Sequence, residues 1–341
     1  MSTTDTTKRD TYWDTVKALL IFLVIFGHVI QFFMYHGEQD EELWSDAIFK
    51  GIYLFHMPLF MLISGYFAAK SIVKYAWKAI PRYLLRLVVP CLSMGALFVI
   101  ISLLKGSSVI TGFHIGSHLL WFLIVVFECV LCYLIMQQHS AWWYRIVTFI
   151  LPIPLAILAG STPETSLFWP HQQQFTYLWP IFVLGTAMST FKFNHNHINW
   201  KWSGFFMLFI PIYFIFDSTW YVYRYPLDFT AHSFCINIFR TAAAITGCGA
   251  ALWAIKYLHP LVSKFAIVRN IGQATLALYV LQTLFFGKDE LFVLYLPERM
   301  SYLFAFFLGL ILLYILYALY CATRLIAFVS LLMYGEQRIA R

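Results

Sequence analysis

The fold of this chain is decided by an uninterrupted apolar run, Ala18-Leu-Leu-Ile-Phe-Leu-Val-Ile-Phe-Gly-His28. A second run, Ile52-Tyr-Leu-Phe-His56-Met-Pro-Leu-Phe-Met-Leu-Ile-Ser-Gly65, follows after an acidic loop. With their flanks, both runs reach the length of about 20 residues that a helix needs to cross a bilayer. Each run also contains a histidine, and ionisable side chains within a membrane usually line a polar cavity or a pathway. The two runs therefore predict membrane helices with a functional interior.

Composition extends this prediction to the whole chain. Of 341 residues, 61% are hydrophobic and only 11% are charged, with a mean hydropathy of +0.73. Soluble domains carry about a quarter charged residues. We therefore expect an all-α, polytopic integral membrane protein that forms one helical bundle and a single domain over residues 1–341. The predicted spans are about 13–34, 47–68, 83–104, 118–137, 142–160, 175–191, 203–217, 233–256, 271–287 and 302–334.

The placement of positive charge tests this topology. With both termini in the cytoplasm, 17 of the 23 lysines and arginines fall in cytoplasmic parts and five in external parts, while Arg240 lies inside a span. This asymmetry agrees with the positive-inside rule. The net charge of +7 is therefore explained by topology, and we expect no nucleic-acid partner.

The longest cytoplasmic connection, 68–86, carries basic residues at intervals of four. On a single helix they would form one cationic stripe. Such a stripe could contact anionic lipid head groups, or it could bind a multiply phosphorylated ligand. The stripe consists of Lys70, Lys74, Lys78, Arg82 and Arg86.

The first span combines three ionisable groups on one predicted face. Asp14 and Lys17 are one turn apart and can pair, and His28 returns to within about 40° of the same face at 3.6 residues per turn. That face should look into the bundle. The position of His28 along the helix, and the entry of the second span from outside, predict that His28 and His56 meet at outer depth. Pro58 should bend the second span and free a backbone carbonyl, to which His56 could instead be bonded.

Other polar residues interrupt apolar segments. Glu128 lies in the middle of a span, and Arg240 is a candidate partner for its carboxylate. Trp121 and Gln282 are further polar groups in apolar surroundings. The pair Cys129-x-x-Cys132 has metal-ligand spacing without other ligands nearby, so we expect it to pack, and we expect no bound metal.

These residues resemble the motifs of the membrane-bound acyltransferase 3 family, and especially its branch of fucose 4-O-acetylase-like proteins. The similarity covers essentially the whole chain. It rests on Asp14-x-x-Lys17 followed by Gly27-His28, Phe55-His56-Met-Pro-Leu-Phe60, Ser64-Gly65-Tyr66, Arg86-Leu-Val-Val-Pro90, His118-Leu-Leu-Trp121, Phe182-Val-Leu-Gly185 and Ile271-Gly272 with Ala277-Leu-Tyr279.

The resemblance implies transfer of an acyl group, usually acetyl from acetyl-CoA, to a hydroxyl of an envelope sugar. It implies that His28 is catalytic, that Lys17 replaces an arginine of the family, and that Arg86 and Arg82 meet the CoA donor. Two departures stand out. The family often spaces its two arginines as R-x-x-R, whereas Arg82 and Arg86 are four apart, and Gln282 stands where a histidine is common.

Together these features predict a multi-pass enzyme of the bacterial plasma membrane. We expect acetyl-CoA near Lys78, Arg82 and Arg86, with Asp14 and Lys17 along the donor's path. His28 would act either as general base or as a transient acyl carrier, with His56 assisting. The acceptor would be an envelope glycan or a lipid-linked sugar, contacted by Trp121, Glu128, Arg240 and Gln282. The alternative function is a transporter or exporter of a polysaccharide or small solute.

Overall fold

The computed structural model describes residues 10–35, 41–106, 108–109, 119–160, 171–225, 227–286 and 301–336. Within these ranges the chain is helical and contains no β-strand, so the predicted all-α class is confirmed. The longer helices are α1 Thr11–Val29, α2 Glu41–Ser45, α3 Ala47–Tyr53, α4 His56–Tyr75, α5 Ile80–Tyr83, α6 Val89–Leu104, α7 Trp121–Met136, α8 Trp142–Ile150, α9 Pro152–Ala159, α10 Gln172–Thr190, α11 Ser203–Ile215, α12 Ala231–Val262, α13 Ala266–Gln282, α14 Tyr302–Thr323 and α15 Ala327–Tyr334.

Polar side chains begin several of these helices. Asp10 accepts a hydrogen bond from the backbone N–H of Tyr12 at 3.0 Å, and Asp46 accepts one from Phe49 at 2.7 Å. Thr230 caps α12 in the same way. A side-chain oxygen at this position satisfies a backbone donor that the first helical turn leaves without a partner. The helix starts are therefore encoded locally in the sequence.

Five helical segments are long and apolar enough to cross a membrane, which supports a membrane protein. They are Thr11–Met34, Ala47–Leu104, Trp142–Ala159, Ala231–Val262 and Tyr302–Thr323. Two shorter apolar helical segments are Trp121–Met136 and Trp200–Ile215. The predicted total of ten spans, and the cytoplasmic position of both termini, are not decided by these lengths and stay predictions.

The second helical segment is broken where the sequence places a histidine and a proline. The chain leaves α3 at Tyr53 and starts α4 at His56, so Pro58 lies in the first turn of α4. Proline is accepted in a first helical turn, where its missing N–H costs nothing. The expected bend is therefore present, and it lies directly before the histidine.

The predicted cationic stripe on one helix is wrong. Ala76, with φ of 45°, ends α4, and a short 3₁₀ helix, Ala76–Ala79, leads into α5. A non-glycine residue with positive φ redirects the chain sharply. Lys70 lies before the break and donates to the Tyr66 hydroxyl at 3.1 Å, whereas Lys78 lies after it. The basic residues thus divide into two groups with different surroundings.

Helix α1 lies at the centre of the bundle and packs against α4, α12, α13 and α14. Its residues Tyr12, Val16, Leu20 and Ile25 have no exposed surface. Helices α4 and α10 also pack closely along each other. Both contacts bring residues that are distant in sequence to the middle of the molecule, where the candidate site lies.

The contact between α4 and α10 depends on two glycines that meet reciprocally. A Cβ atom on Gly65 would overlap the carbonyl oxygen of Phe182, and a Cβ atom on Gly185 would overlap that of Leu62. Small residues allow two helix backbones to approach this closely in a membrane. Two of the sequence landmarks, Ser64-Gly65-Tyr66 and Phe182-Val-Leu-Gly185, are thereby explained as one packing contact.

Candidate active site

His28 lies near the end of α1, and its Nδ1 is buried and has no hydrogen-bond partner among the described residues. The ring centroid lies 5.2 Å from that of Phe286 and 5.9 Å from that of Phe32. The polar neighbour of the ring is the side chain of Gln282. Gln282 is 1% exposed, and its Oε1 also has no partner. Two buried polar atoms at this point thus lack a hydrogen-bond partner among the described residues.

His56 is held in one orientation by its own helix start. Its Nδ1 lies 2.8 Å from the carbonyl oxygen of Ile52. Because a carbonyl can only accept, Nδ1 carries the hydrogen in the neutral ring and Nε2 carries a lone pair. The structure therefore shows the second possibility given for His56, a histidine bonded to a backbone carbonyl. It leaves one nitrogen able to accept a proton.

Tyr53 connects this histidine to the first helix. Its ring centroid lies 4.7 Å from that of His56, and its hydroxyl donates to Oε1 of Gln31 at 2.8 Å. The two histidines lie close enough for the charge on His28 to act on His56. Their predicted proximity is thus present. His56 lines the outer cavity described next, whereas His28 lies beside it and is not among its lining residues.

A small cavity of about 30 Å³, here called the outer cavity, has room for one water molecule. Its walls are mainly aromatic, with a few polar groups, which is typical of sites for small polar molecules. Three predicted site residues, His56, Trp121 and Arg240, share these walls. The other lining residues with polar side chains or aromatic rings are Tyr53, Gln174, Tyr177, Phe216, Trp220, Tyr221 and Tyr223.

Arg240 donates three hydrogen bonds to main-chain carbonyls of one loop. They go to Trp220, to Tyr221 at 3.0 Å and to Tyr225 at 2.7 Å. The guanidinium is 3% exposed. Paired donors in this rigid geometry suit a positioning role. The bonds of Arg240 thus go to the aromatic loop 216–225 and not to Glu128, the partner suggested by the sequence.

The same loop brings a buried phenol to the outer cavity. The hydroxyl of Tyr221 has no hydrogen-bond partner among the described residues, and burial raises the pKa of this group. The start of the loop is fixed by Asp217, whose carboxyl accepts hydrogen bonds from Thr219 that lower its pKa. A buried hydroxyl without a partner is costly unless a ligand or water completes it.

Trp121 and Glu128 occupy different surroundings on α7. Trp121 packs edge-on against Tyr223, with 6.0 Å between ring centroids, in the wall of the outer cavity. Glu128 is partly buried two turns further along, beside Cys129 and Cys132, and has a polar interaction within the chain. It lines neither this cavity nor the one described next. The structure thus separates these two predicted acceptor residues.

A second cavity of about 1050 Å³, here called the basic cavity, lies where α13, α14 and the segment 78–86 meet. Lys78, Arg82 and Arg86 all line it, and Arg324 from the end of α14 joins them. None of these four cations has an ion pair within the described ranges. Among the described lining residues, the one carboxylate belongs to Glu336. The cavity therefore carries a net positive charge that suits a polyanion.

The π-helical turn Leu84–Val88 presents Arg86 to this cavity. Such turns are rare and occur frequently at functional sites. The Arg82 guanidinium lies 5.1 Å from the centroid of the Tyr75 ring. The predicted grouping of the donor-contacting cations is thus present in space, while their role stays a prediction.

Asp14 and Lys17 form the predicted pair. Their charged groups are 2.9 Å apart, with Asp14 buried and Lys17 about one-fifth exposed at 22%. The Lys17 ammonium also lies 5.9 Å from the ring centroid of Phe67. Neither residue lines either cavity. Their predicted place along the donor's path therefore stays a prediction.

Several residues of the two cavities were missed from the sequence. Arg324 and Glu336 reach the basic cavity because the last helices fold back on the segment 78–86, which no local pattern shows. In the outer cavity, the available signal was the density of aromatic residues in 218–231. Tyr221, in this stretch, is 4% exposed.

Comparison with known proteins identifies the family of this chain. Residues 10–318 match the acyltransferase domain of the acyltransferase 3 family. The chain is 26% identical over 356 aligned residues to nodulation protein NolL of Mesorhizobium japonicum, covering 97% of this chain and 91% of that protein. It is 41% identical over 90 residues to nodulation protein NolL of Sinorhizobium fredii, covering 26% of this chain and 24% of that protein. No solved structure matches this chain. The chain therefore belongs to the acyltransferase 3 family and is a membrane acyltransferase.

Proposed function

We propose that this protein transfers an acetyl group from cytoplasmic acetyl-CoA to a hydroxyl of a cell-envelope glycan or a lipid-linked sugar. The observation that carries the donor half of this proposal is the basic cavity, with four cations and one carboxylate in its walls. Acetyl-CoA carries a diphosphate and a separate 3′-phosphate, and guanidinium groups bind such oxygens in a bidentate geometry. The cavity is as large as the largest common ligand pockets, which reach about 1,000 Å³.

The acceptor half is supported by the outer cavity. Aromatic rings and a few polar groups form its walls, and the hydroxyl of Tyr221 lacks a partner there. Sugar rings combine apolar C–H faces with hydroxyl groups, so walls of this kind suit them. The outer cavity, with a volume of about 30 Å³, is too small for a sugar, so the aromatic loop 216–225 would move to admit one. Through its hydrogen bonds to Tyr221 and Tyr225, Arg240 would hold the loop in its closed position after the sugar has left or entered.

His28 is the proposed general base. A nitrogen of its ring takes the proton of the sugar hydroxyl while the oxygen attacks the thioester carbonyl. The carbon–sulfur bond then breaks, and the CoA thiolate leaves and receives the proton from His28. The amide N–H of Gln282 would stabilise charge on the carbonyl oxygen. His56, whose N–H is taken by Ile52, would position the acceptor by accepting a hydrogen bond from a sugar hydroxyl at Nε2. In a two-step variant, His28 carries the acetyl group before the sugar attacks.

This reaction joins two sides of a membrane. The basic segment 68–86 would face the cytoplasm, as the positive-inside rule predicts, and the outer cavity would face the exterior. Asp14 and Lys17 would lie between the two cavities along α1, near the pantetheine arm of the donor. The same reasoning favours the bacterial plasma membrane, with membrane lipids around the bundle.

The deciding experiment replaces the proposed base. We expect His28→Ala to lower acetyl transfer from acetyl-CoA by about 100-fold or more at unchanged protein level, since general bases contribute about 10²–10⁴-fold. His139→Ala is the matched control, because His139 is an exposed loop histidine. O-acetyl content of the envelope glycan and transfer by purified protein are both measured. Equal acetylation by wild type and His28→Ala would contradict the proposal, and solute flux in proteoliposomes without acetyl transfer would favour a transporter.

A further inference from the structure

Tyr320 holds two opposite charges at the wall of the basic cavity. The Arg324 guanidinium lies 5.2 Å from the centroid of its ring, and its hydroxyl donates to Oε1 of Glu336 at 2.9 Å. Tyr320 itself is buried, with 5% of its surface exposed. One rigid side chain therefore positions both a cation and a carboxylate at the same site.

The chain after Arg324 is folded back so that Glu336 can reach this position. Tyr334, at the end of α15, is buried and its hydroxyl lies 2.6 Å from Oγ1 of Thr323. Gly335 follows with φ of 62°, and a Cβ atom there would overlap the carbonyl oxygen of Leu85. Glycine accepts this left-handed conformation without strain. The end of α15 is thus fixed against the turn that carries Arg86.

Building on the proposed function, we propose that Arg324 is a fourth phosphate-binding residue of the donor site, and that Glu336 weakens donor binding by lying in the same wall. Arg324 comes from a different part of the chain than Lys78, Arg82 and Arg86, yet it faces the same cavity. It has no ion pair within the described ranges. A guanidinium without a carboxylate partner is free to bind phosphate oxygens.

The role of Glu336 follows from charge. Its carboxylate repels a phosphate that approaches the four cations, and it offers them a competing anion. Tyr320 fixes this carboxylate in place by the hydrogen bond given above. The donor site would then hold acetyl-CoA firmly enough to react and loosely enough to release CoA afterwards.

The test for Arg324 compares three acetyl donors with the wild type and Arg324→Gln. The donors are acetyl-CoA, 3′-dephospho-acetyl-CoA and acetyl-pantetheine, which successively lack the 3′-phosphate and both phosphate groups. We expect the variant to raise KM for acetyl-CoA about tenfold with kcat nearly unchanged, since a hydrogen bond to a charged group contributes about this factor. Arg269→Gln is the matched control, an exposed arginine near the start of α13 outside the cavity wall.

The donor at which the effect disappears identifies the contact. Loss of the KM difference with 3′-dephospho-acetyl-CoA assigns Arg324 to the 3′-phosphate, and loss only with acetyl-pantetheine assigns it to the diphosphate. The same KM increase with all three donors, or no increase with acetyl-CoA, would overturn the proposal. Thermal unfolding of the variant is measured alongside, to separate binding from folding.

Glu336→Gln tests the carboxylate separately. The amide oxygen can still accept the hydrogen bond from Tyr320, so only the charge is lost. We expect KM for acetyl-CoA to fall about threefold, with a weaker change for acetyl-pantetheine. A KM that rises or stays equal for acetyl-CoA would contradict the role given to Glu336.

Direct binding of CoA to the purified protein separates this inference from the proposed function. If the wild type binds no CoA, the donor half of the proposed function fails. If the wild type binds CoA and Arg324→Gln binds it equally well, only the present inference fails. Isothermal titration calorimetry with CoA gives both results without an acceptor sugar.

Discussion

At the scale of single residues, the hydrogen bond between His56 and Ile52 separates a structural role from a chemical one. The bond uses Nδ1, and the lining of the outer cavity includes the same ring. A histidine needed only for packing would need only that bond. A histidine needed for the reaction would also need Nε2, the atom that carries the lone pair.

The substitution His56→Asn distinguishes the two roles, since the asparagine amide can still donate at the place of Nδ1 while nothing replaces Nε2. We expect the variant to fold with nearly unchanged thermal stability and to lose about 100-fold in kcat, as for loss of a group that positions the acceptor. His56→Ala, which loses the bond as well, should be less stable. Retention of wild-type kcat in His56→Asn would assign His56 to packing alone.

Site residues that stand out from their sequence neighbours could be predicted from the sequence. Site residues whose role depends on tertiary contacts could not. His28 and His56 stand out because each is ionisable within an apolar run, and their proximity followed from helical rise. The open Oε1 of Gln282 and the hydroxyl of Tyr221 depend on what packs around them. Arg324 looks in sequence like any cation at the end of a span. Only its place in the wall of the basic cavity distinguishes it.

At the scale of helices, α4 and α10 show how the segments that bear the site are fixed. The reciprocal contact of Gly65 and Gly185 lies on the helix that starts with His56. In the membrane, close packing of backbones is a principal source of helix association. The glycines therefore hold in place the helix start that orients the histidine.

Gly185→Ala should be strongly destabilising, because the new methyl group meets a backbone carbonyl that cannot turn away. We expect a loss of at least about 2 kcal/mol, as for severe overpacking. Gly95→Ala is the control, since a methyl group at that helical position has no neighbour within 4 Å. Thermal unfolding in detergent, followed by tryptophan fluorescence, measures both. Equal midpoints for the two variants would refute the role of this contact.

The sequence predicted where helices exist better than where they break. The first span was expected over 13–34, and the structure has Thr11–Val29 followed by a π-helical turn, Ile30–Met34. The last was expected over 302–334, and it is divided between Thr323 and Ala327. The break at Ala76 is not marked in the sequence by a glycine or proline at that position. Breaks of this kind are imposed by packing, which overrides local preference.

At the scale of the whole molecule, the two cavities belong to different groups of helices around α1. The outer cavity is built from the ends of α3, α4, α7 and α10 with the aromatic loop, and the basic cavity from α13, α14 and the segment 78–86. His28 and the pair of Asp14 with Lys17 lie on α1. This arrangement suits an enzyme whose two substrates arrive from opposite sides.

Sidedness is tested by labelling with a membrane-impermeant maleimide in intact cells, in a Cys235→Ser background because Cys235 is exposed. We expect Glu42→Cys to react from outside and Lys264→Cys to react only after permeabilisation, as the distribution of positive charge predicts. Both side chains are exposed, so access to reagent is not limiting. The reverse pattern would place the basic cavity outside, away from cytoplasmic acetyl-CoA.

The membrane and helical class of the protein was more predictable than the way its helices assemble. Composition alone required a membrane protein, and the helical class is confirmed within the described ranges. The number of spans depends on short apolar helices such as Ser203–Ile215, for which length is a weak criterion. Residues 78–86 and 324–336 meet in the wall of the basic cavity, and this meeting has no counterpart in hydropathy.

The reciprocal glycine contact also limits how this protein can evolve. A side chain added at Gly65 is opposed by the main-chain oxygen of Phe182, so shortening the side chain of Phe182 would create no room for it. A screen for second-site suppressors of Gly65→Ala should consequently recover revertants, or changes that raise expression, but no compensating partner across the interface. Descendants of this protein would therefore keep both Gly65 and Gly185, or lose the close contact between α4 and α10.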